Sequence, residues 1–207
     1  MRRKRGRFIV LEGGEGAGKS TWAVFIRDWL QSQGRKVVST REPGGTPLAE
    51  SIRKVLLEGR DHMPAESELM LMFAARVSHI KDLIEPALMS GQDVVCDRFV
   101  DSSYAYQGAG RGLRRELISA LERMSLQGLK PDLVLVFDLP PVVGLARVQR
   151  RGAQDRFERE PLAFQTRVRR EFLRRARLAP RRYRVIDASQ PLEKVRVDLL
   201  KVLEKTL

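Results

Sequence analysis

Phe8-Ile9-Val10-Leu11-Glu12-Gly13-Gly14-Glu15-Gly16-Ala17-Gly18-Lys19-Ser20-Thr21 is the stretch on which the fold turns. Within it, Gly13–Ser20 matches G-x-x-x-x-G-K-[ST] in full. An apolar, β-rich run, Phe8–Leu11, leads into the match. Thr21–Gln33 leads out of it, with Trp22, Phe25, Ile26, Trp29 and Leu30 at helical spacing and a stop at Gly34. The pattern arises by chance in about one per cent of chains this long, and the strand–loop–helix setting makes it a phosphate-binding loop. Backbone N–H groups from Gly13, Gly14, Glu15, Gly16, Ala17, Gly18, Lys19, Ser20 and Thr21 are then expected to wrap the phosphates of ATP. The positive end of the following helix adds to that attraction. Lys19 is expected to reach the β- and γ-phosphates, and the Ser20 hydroxyl to ligate Mg²⁺.

Four more apolar runs follow: Lys36–Thr40, Asp93–Cys96, Leu133–Phe137 and Tyr183–Ile186. Helical segments separate them, at Ser67–Met89, Arg114–Leu126, Val142–Arg151 and Pro161–Ala179, with Leu192–Leu203 last; Pro86 predicts a kink late in the first of these. Strands alternating with helices predict an α/β fold with a five-stranded parallel sheet covered on both faces. Positions 1–207 read as one domain with a basic N-terminal tail over residues 1–7. The polar, Arg-rich stretch at about 149–160 is expected to be a short lid.

Hydrophobic residues make up 43% of the 207 and charged residues 31%, which is a globular composition. No apolar run approaches the roughly 20 residues that span a bilayer, and Phe8–Leu11 is too short for a signal peptide. A single cysteine, Cys96, rules out an intrachain disulfide and fits a reducing compartment, so the cytoplasm is the expected location. The net charge is +13, of which residues 2–7 carry +5 and residues 143–184 carry +10; the other positions sum to −2. A charge so concentrated is a solvated face in part, and in part suited to polyanionic ligands.

Two arginines stand at strand ends, in Thr40-Arg41-Glu42-Pro43-Gly44-Gly45-Thr46 and in Asp97-Arg98-Phe99, and both face the phosphate loop. Their placement favours an acceptor that is itself a phosphate. Asp138 follows an apolar strand, but Pro140-Pro141 after it marks a strand-to-helix turn and it is not assigned to metal. Cys96 reads as a buried strand residue. His62 and His79 stand alone, without metal-ligand spacing, and read as structural or exposed. Phe73 alone reads as helix core, and Ser103, Tyr106 and Gln107 as polar loop residues.

From about Phe8 to Leu203 the sequence resembles the bacterial thymidylate kinases. The motifs that carry the resemblance are Glu12–Thr21, Thr40–Thr46, Met72-Phe73-Ala74-Ala75-Arg76, Asp97-Arg98-Phe99, Ala105-Tyr106-Gln107-Gly108 and Asp155-Arg156-Phe157-Glu158. The resemblance implies the P-loop nucleoside-monophosphate kinase fold, a homodimer, and ATP- and Mg²⁺-dependent phosphorylation of dTMP to dTDP. Membranes and nucleic acids are not expected partners. Arg41 and Arg98 would hold the dTMP phosphate, Phe73 would stack on thymine, and Arg76 would bond a base carbonyl. Ser103 and Gln107 would read the remaining base edge, with Tyr106 beside the sugar. Glu15 would sit near the deoxyribose 3′-hydroxyl and the metal-bound water, and Asp97 would support Mg²⁺ through water or orient Arg98. Gly16 stands where one subtype carries its catalytic arginine, so this chain resembles the subtype that supplies it from the lid. Arg147, Arg150, Arg151 and Arg156 are the candidates there, Arg151 and Arg156 foremost. Phe99 departs from the Tyr or His that relatives often carry. The competing readings are another small-molecule P-loop kinase and a P-loop ATPase that binds nucleic acid through its basic segment.

Overall fold

The computed structural model describes residues 5–58, 63–152 and 155–207. They form five strands, β1 (Phe8–Glu12), β2 (Val37–Arg41), β3 (Asp93–Asp97), β4 (Leu133–Asp138) and β5 (Tyr183–Asp187). All pair in parallel in the order β2-β3-β1-β4-β5. The helices are α1 (Lys19–Ser32), α2 (Pro47–Glu58), α3 (Ala65–His79), α4 (Glu85–Met89), α5 (Val100–Ser103), α6 (Arg115–Leu126), α7 (Pro141–Arg151), α8 (Leu162–Leu178) and α9 (Leu192–Thr206).

The strands β1, β3 and β4 lack polar alternation because they are covered on both faces. Phe8, Val10, Val94, Cys96, Val134 and Val136 face one core with Phe73, Ile118 and Phe172 from the helices. Their neighbours Ile9, Leu11, Val95, Leu135 and Phe137 face the other, with Ile26 and Leu30 of α1 and Leu199 and Leu203 of α9. All five expected strands are present, and each ends one residue later than its apolar run, at Glu12, Arg41, Asp97, Asp138 and Asp187. The backbone ladder continues after hydrophobicity stops, so a polar side chain closes each strand at the carboxyl edge, where ligands of such sheets bind.

Three differences from the sequence reading have physical causes. Helix α2 lies outside the helical segments read from the sequence: it is short, follows the turn residues Pro43-Gly44-Gly45, and buries only Ala49 and Leu56 of its twelve residues. The segment holding Ser103, Tyr106 and Gln107 is not a loop: α5 runs into a π-helical stretch at Tyr104–Gly110. Gly108 and Gly110 depress its helix propensity, yet packing against α8 buries it. The helix expected over Ser67–Met89 begins at Ala65 and widens into a π turn at Ile80–Ile84, directly before Pro86, which has no N–H to donate.

Cys96 is buried as expected, and burial pushes its thiol well above the usual range. Asp138 is ion-paired with Arg169 through two bonds of 2.7 and 2.8 Å. His79 is fully buried, whereas His62 and the first four tail residues lie outside the described residues. Arg5 of the tail pairs with Asp132 at 3.0 Å. No described helix is long and apolar enough to cross a membrane.

Candidate active site

A cavity of about 340 Å³ opens at the carboxyl edge of β1, β2 and β3, bounded by the P-loop, α2, α3, the 97–107 segment and Arg151–Glu158. Gly16 and Gly18 of the loop adopt left-handed φ of +69° and +79°. A Cβ on Gly16 would lie 2.3 Å from the Gly144 carbonyl of α7, so no side chain fits there without moving that helix. Lys19 is buried and donates to the Gly14 carbonyl at 2.8 Å. Burial lowers its pKa, and the Arg98 charge adds to the effect.

The Ser20 hydroxyl donates to Asp97 Oδ2 at 2.6 Å. Asp97 Oδ1 is buried without a partner, an acceptor left open beside the P-loop serine. A hydroxyl and an open carboxylate oxygen next to a phosphate site suit Mg²⁺, which keeps several waters and borrows phosphate oxygens. No cluster of three or more His, Cys, Asp or Glu exists among the described residues, and such a site does not need one.

Arg98 follows β3 in a left-handed conformation, φ +72°, which is uncommon for a residue with a Cβ. Its guanidinium donates to the Gly13 carbonyl at 3.0 Å and to Glu15 Oε1 at 2.8 Å, and lies 5.0 Å from the Tyr106 ring centroid. The Tyr106 hydroxyl donates to the same Glu15 oxygen at 2.6 Å. Burial favours the neutral form of Glu15, but Arg98, Lys19 and the Tyr106 bond outweigh it and hold the carboxyl below its usual range.

Glu12 fixes the turn after Arg98. It accepts from the Phe99 and Ser102 N–H groups at 2.9 and 3.2 Å, while Oε2 lies 2.7 Å from the Ser102 hydroxyl. Burial, and then the Asp101 charge, push its pKa to about 8 from 4.5. The folded protein therefore keeps a proton that the unfolded chain releases. Glu12's contribution to stability is full below pH 4.5 and is lost as pH rises through about 8. Relative to Glu12→Gln, which mimics the neutral acid, the wild type is expected to lose on the order of 1.4 kcal/mol per pH unit across that window. Urea midpoints of both proteins at pH 6 and pH 8.5 check this; parallel curves refute it.

At the far end, Arg76 donates through Nε to Glu42 at 2.7 Å, through Nη1 to Ser103 at 3.0 Å and through Nη2 to the Phe99 carbonyl at 3.2 Å. Met72, Ser103 and Gln107 line the cavity beside it. Phe73 does not line it: the ring is 2% exposed and lies behind Arg76, whose guanidinium carbon is 4.6 Å from its centroid. Gln107 donates to Glu68 at 2.7 Å. Arg41 lines the cavity and pairs with Glu50 at 3.1 Å.

Arg53 also lines the cavity and was missed by sequence reasoning. Burial, and then the Arg41 charge, lower its pKa, so it sits where an anion would relieve crowding. The available signals were Pro47 and Glu50, which fit the first turn of a helix. In the Arg-rich stretch after α7, Arg151 is bonded to Glu158 on the cavity wall. Arg156 is not on that wall and is bonded to buried Glu68. Arg147 donates to the Gly16 and Ala188 carbonyls at 3.4 and 3.2 Å, and Arg150 is exposed.

A P-loop at the centre of a β2-β3-β1-β4-β5 parallel sheet, opening on a cavity rich in arginine, defines a P-loop kinase of the nucleoside-monophosphate kinase type. The chain belongs to the thymidylate kinase family, whose model matches residues 11–199. It is 53% identical over 203 residues to the thymidylate kinase of Pseudomonas syringae pv. tomato, covering 98% of this chain and 97% of that one. It is 57% identical over 189 residues to that of Pseudomonas putida strain W619, covering 91% of each. The crystal structure of thymidylate kinase from Ehrlichia chaffeensis superposes with a TM-score of 0.80 at 33% identity, covering 97% of this chain and 99% of that one.

Proposed function

We propose that this chain transfers the γ-phosphoryl group of ATP to the phosphate of dTMP, giving dTDP, with Mg²⁺ as cofactor. The observation that carries the reading is Arg98, which lines the cavity beside the P-loop and touches Gly13 and Glu15. The acceptor is a phosphate with its second pKa near 6. It is largely dianionic at neutral pH, so it needs no general base, only alignment and compensation of charge.

Lys19 holds the β- and γ-phosphates of ATP, within a cradle of backbone N–H groups over Gly13–Thr21. Ser20, and Asp97 through water, would hold Mg²⁺, which when bound would neutralise phosphate charge. Arg41, Arg53 and Arg98 grip the acceptor phosphate. Arg76, Ser103 and Gln107 read the base edges, and Tyr106 and Glu15 flank the sugar. Phe73, for which the resemblance implies stacking on thymine, is buried against the Arg76 guanidinium and would back that base-reading group from behind. Residues 149–160 act as a lid over one domain, with Arg151 and Arg156 its foremost cations; closure excludes water and limits idle ATP hydrolysis.

A homodimer belongs to the same reading. Three neighbouring helices each expose an apolar pair seven residues apart: Leu48 and Val55 on α2, Met70 and Val77 on α3, Leu117 and Met124 on α6. A stripe of that kind supports burial against a second copy. The cytoplasm, where both nucleotides are found, is the proposed location, and neither nucleic acid nor a membrane is a proposed partner.

A coupled assay of ADP release tests the proposal, with dTMP, dUMP, dCMP, thymidine and single-stranded DNA offered in turn. The expected order has dTMP first and DNA without effect. Stimulation by DNA and none by dTMP would overturn it.

A further inference from the structure

We infer that His79, which lines no part of the cavity, is a positioning residue for nucleobase recognition: it holds Glu42 in place and, through Glu42, sets the direction of Arg76. The inference rests on the proposed reading of Arg76 as the group that meets the base.

His79 closes α3 and is completely buried. Its Nδ1 lies 3.1 Å from Glu42 Oε1, and its Nε2 lies 2.7 Å from the Thr40 hydroxyl of β2. A carboxylate oxygen accepts, so the bond to Glu42 is made by a proton on Nδ1, while Nε2 is bonded to the Thr40 hydroxyl. The other oxygen of Glu42 accepts from Arg76 Nε at 2.7 Å. The chain Thr40–His79–Glu42–Arg76 thus runs from the sheet edge to the cavity through buried groups alone beyond Thr40.

A buried histidine with both nitrogens bonded often does nothing more than satisfy itself. Two features argue for more here. Glu42 bridges His79 to a guanidinium whose other contacts, Ser103 and the Phe99 carbonyl, also line the cavity. Three of the five Arg76 N–H groups are thereby spoken for, and the remaining two have a fixed direction in which to meet a carbonyl. In addition, the Gly45 backbone packs directly on the ring, so closely that a Cβ there would stand 2.6 Å from its Cδ2 and Nε2. His79 is therefore a rigid strut. Without it Glu42 keeps a single strong partner and rotates about its last torsion, and Arg76 loses its set angle.

Two substitutions separate the two nitrogens. The amide of His79→Asn stands in for Nδ1 and keeps the bond to Glu42. The amide of His79→Gln reaches the Nε2 position near Thr40 and leaves Glu42 unsupported. His79→Gln is expected to raise KM for dTMP about tenfold, as the loss of one bond to a charged group does, with kcat changed less than about threefold and KM for ATP unmoved. Binding of thymidine, which lacks the phosphate, should weaken by the same factor. His79→Asn should recover most of the affinity, although both variants lower the melting temperature. Equal KM values for the two variants, or a fall in melting temperature with KM for dTMP unchanged, would show a purely structural residue and overturn the inference.

Arg76→Ala serves as the reference. If it weakens thymidine binding and His79→Gln does not, the strut fails while the base-site reading stands. If Arg76→Ala itself leaves thymidine binding intact, the base-site reading falls and the strut with it. Should His79→Gln not fold, the wild-type protein still decides. The side-chain ¹⁵N resonances of His79 are expected to report a proton on Nδ1 and to shift on addition of thymidine; resonances unmoved by thymidine overturn the proposal.

Discussion

Arg98→Ala is expected to lower kcat for dTMP phosphorylation by about three orders of magnitude, in the range reported for lost oxyanion donors and arginine fingers. The size of the effect follows from how many groups share this one side chain. Its guanidinium bonds the Gly13 carbonyl of the P-loop and the Glu15 carboxylate, and stacks against Tyr106. Removing it leaves the acceptor phosphate without its nearest fork and leaves Glu15 with less positive charge to oppose burial. The Glu15 carboxyl then moves back up, and a hydrogen-bonded cluster at the reacting end loosens. The backbone adds no further penalty, since alanine meets the same left-handed strain at φ +72° as arginine does. Arg98→Lys keeps the charge and loses the fork, so its kcat should fall between the two. The coupled assay reads both variants beside a thermal melt. A value for Arg98→Ala within tenfold of the wild type would refute the assignment of this residue to the reaction.

Strands were legible in this chain because burial on both faces leaves an unbroken apolar run, as in Val94-Val95-Cys96 and Leu133–Phe137. The P-loop was legible because its backbone geometry demands glycine at fixed places. Arg41 and Arg98 could be found by counting from strand ends. What escaped the sequence depends on contacts between distant segments. Arg53 sits on α2, a short helix with only two buried residues, and reaches the cavity through the packing of α2 on α3. The π-helical stretch at Tyr104–Gly110 owes its form to α8, sixty residues away, and not to local propensity. His79 looked solitary because its partners, Thr40 and Glu42, are nearly forty positions earlier and meet it only across the fold. Phe73 was assigned a ligand role through resemblance, and its burial behind Arg76 is a matter of side-chain packing that no spacing encodes.

The lid arginines are expected to separate in kinetics. Arg151→Ala should cut kcat by about a hundredfold or more with little change in KM for dTMP. Arg156→Ala should raise KM for dTMP more than it lowers kcat. The ranking rests on where each is anchored. Arg151 stands on the cavity wall against Glu158, close enough to the P-loop that its charge helps to hold Glu15 ionised. Incoming phosphates compete with Glu158 for it, so it is positioned to move onto the transferring group. Arg156 instead bonds Glu68, a carboxylate with no exposure that also accepts from Gln107 at 2.7 Å. Taking Arg156 away leaves Glu68 with fewer compensating charges, and Gln107, which lines the cavity, is expected to shift with it. Gly16 makes the same point from the other side. With the Gly144 carbonyl 2.3 Å from where its Cβ would be, position 16 has no room for an arginine, so a cation to join Lys19 over the γ-phosphate is expected from the 149–160 stretch. Steady-state kinetics of the two alanine variants check the order. Loss of kcat in Arg156→Ala with Arg151→Ala near wild type would reverse it, and would mean that lid closure breaks the Glu68 contact and delivers Arg156 in place of Arg151.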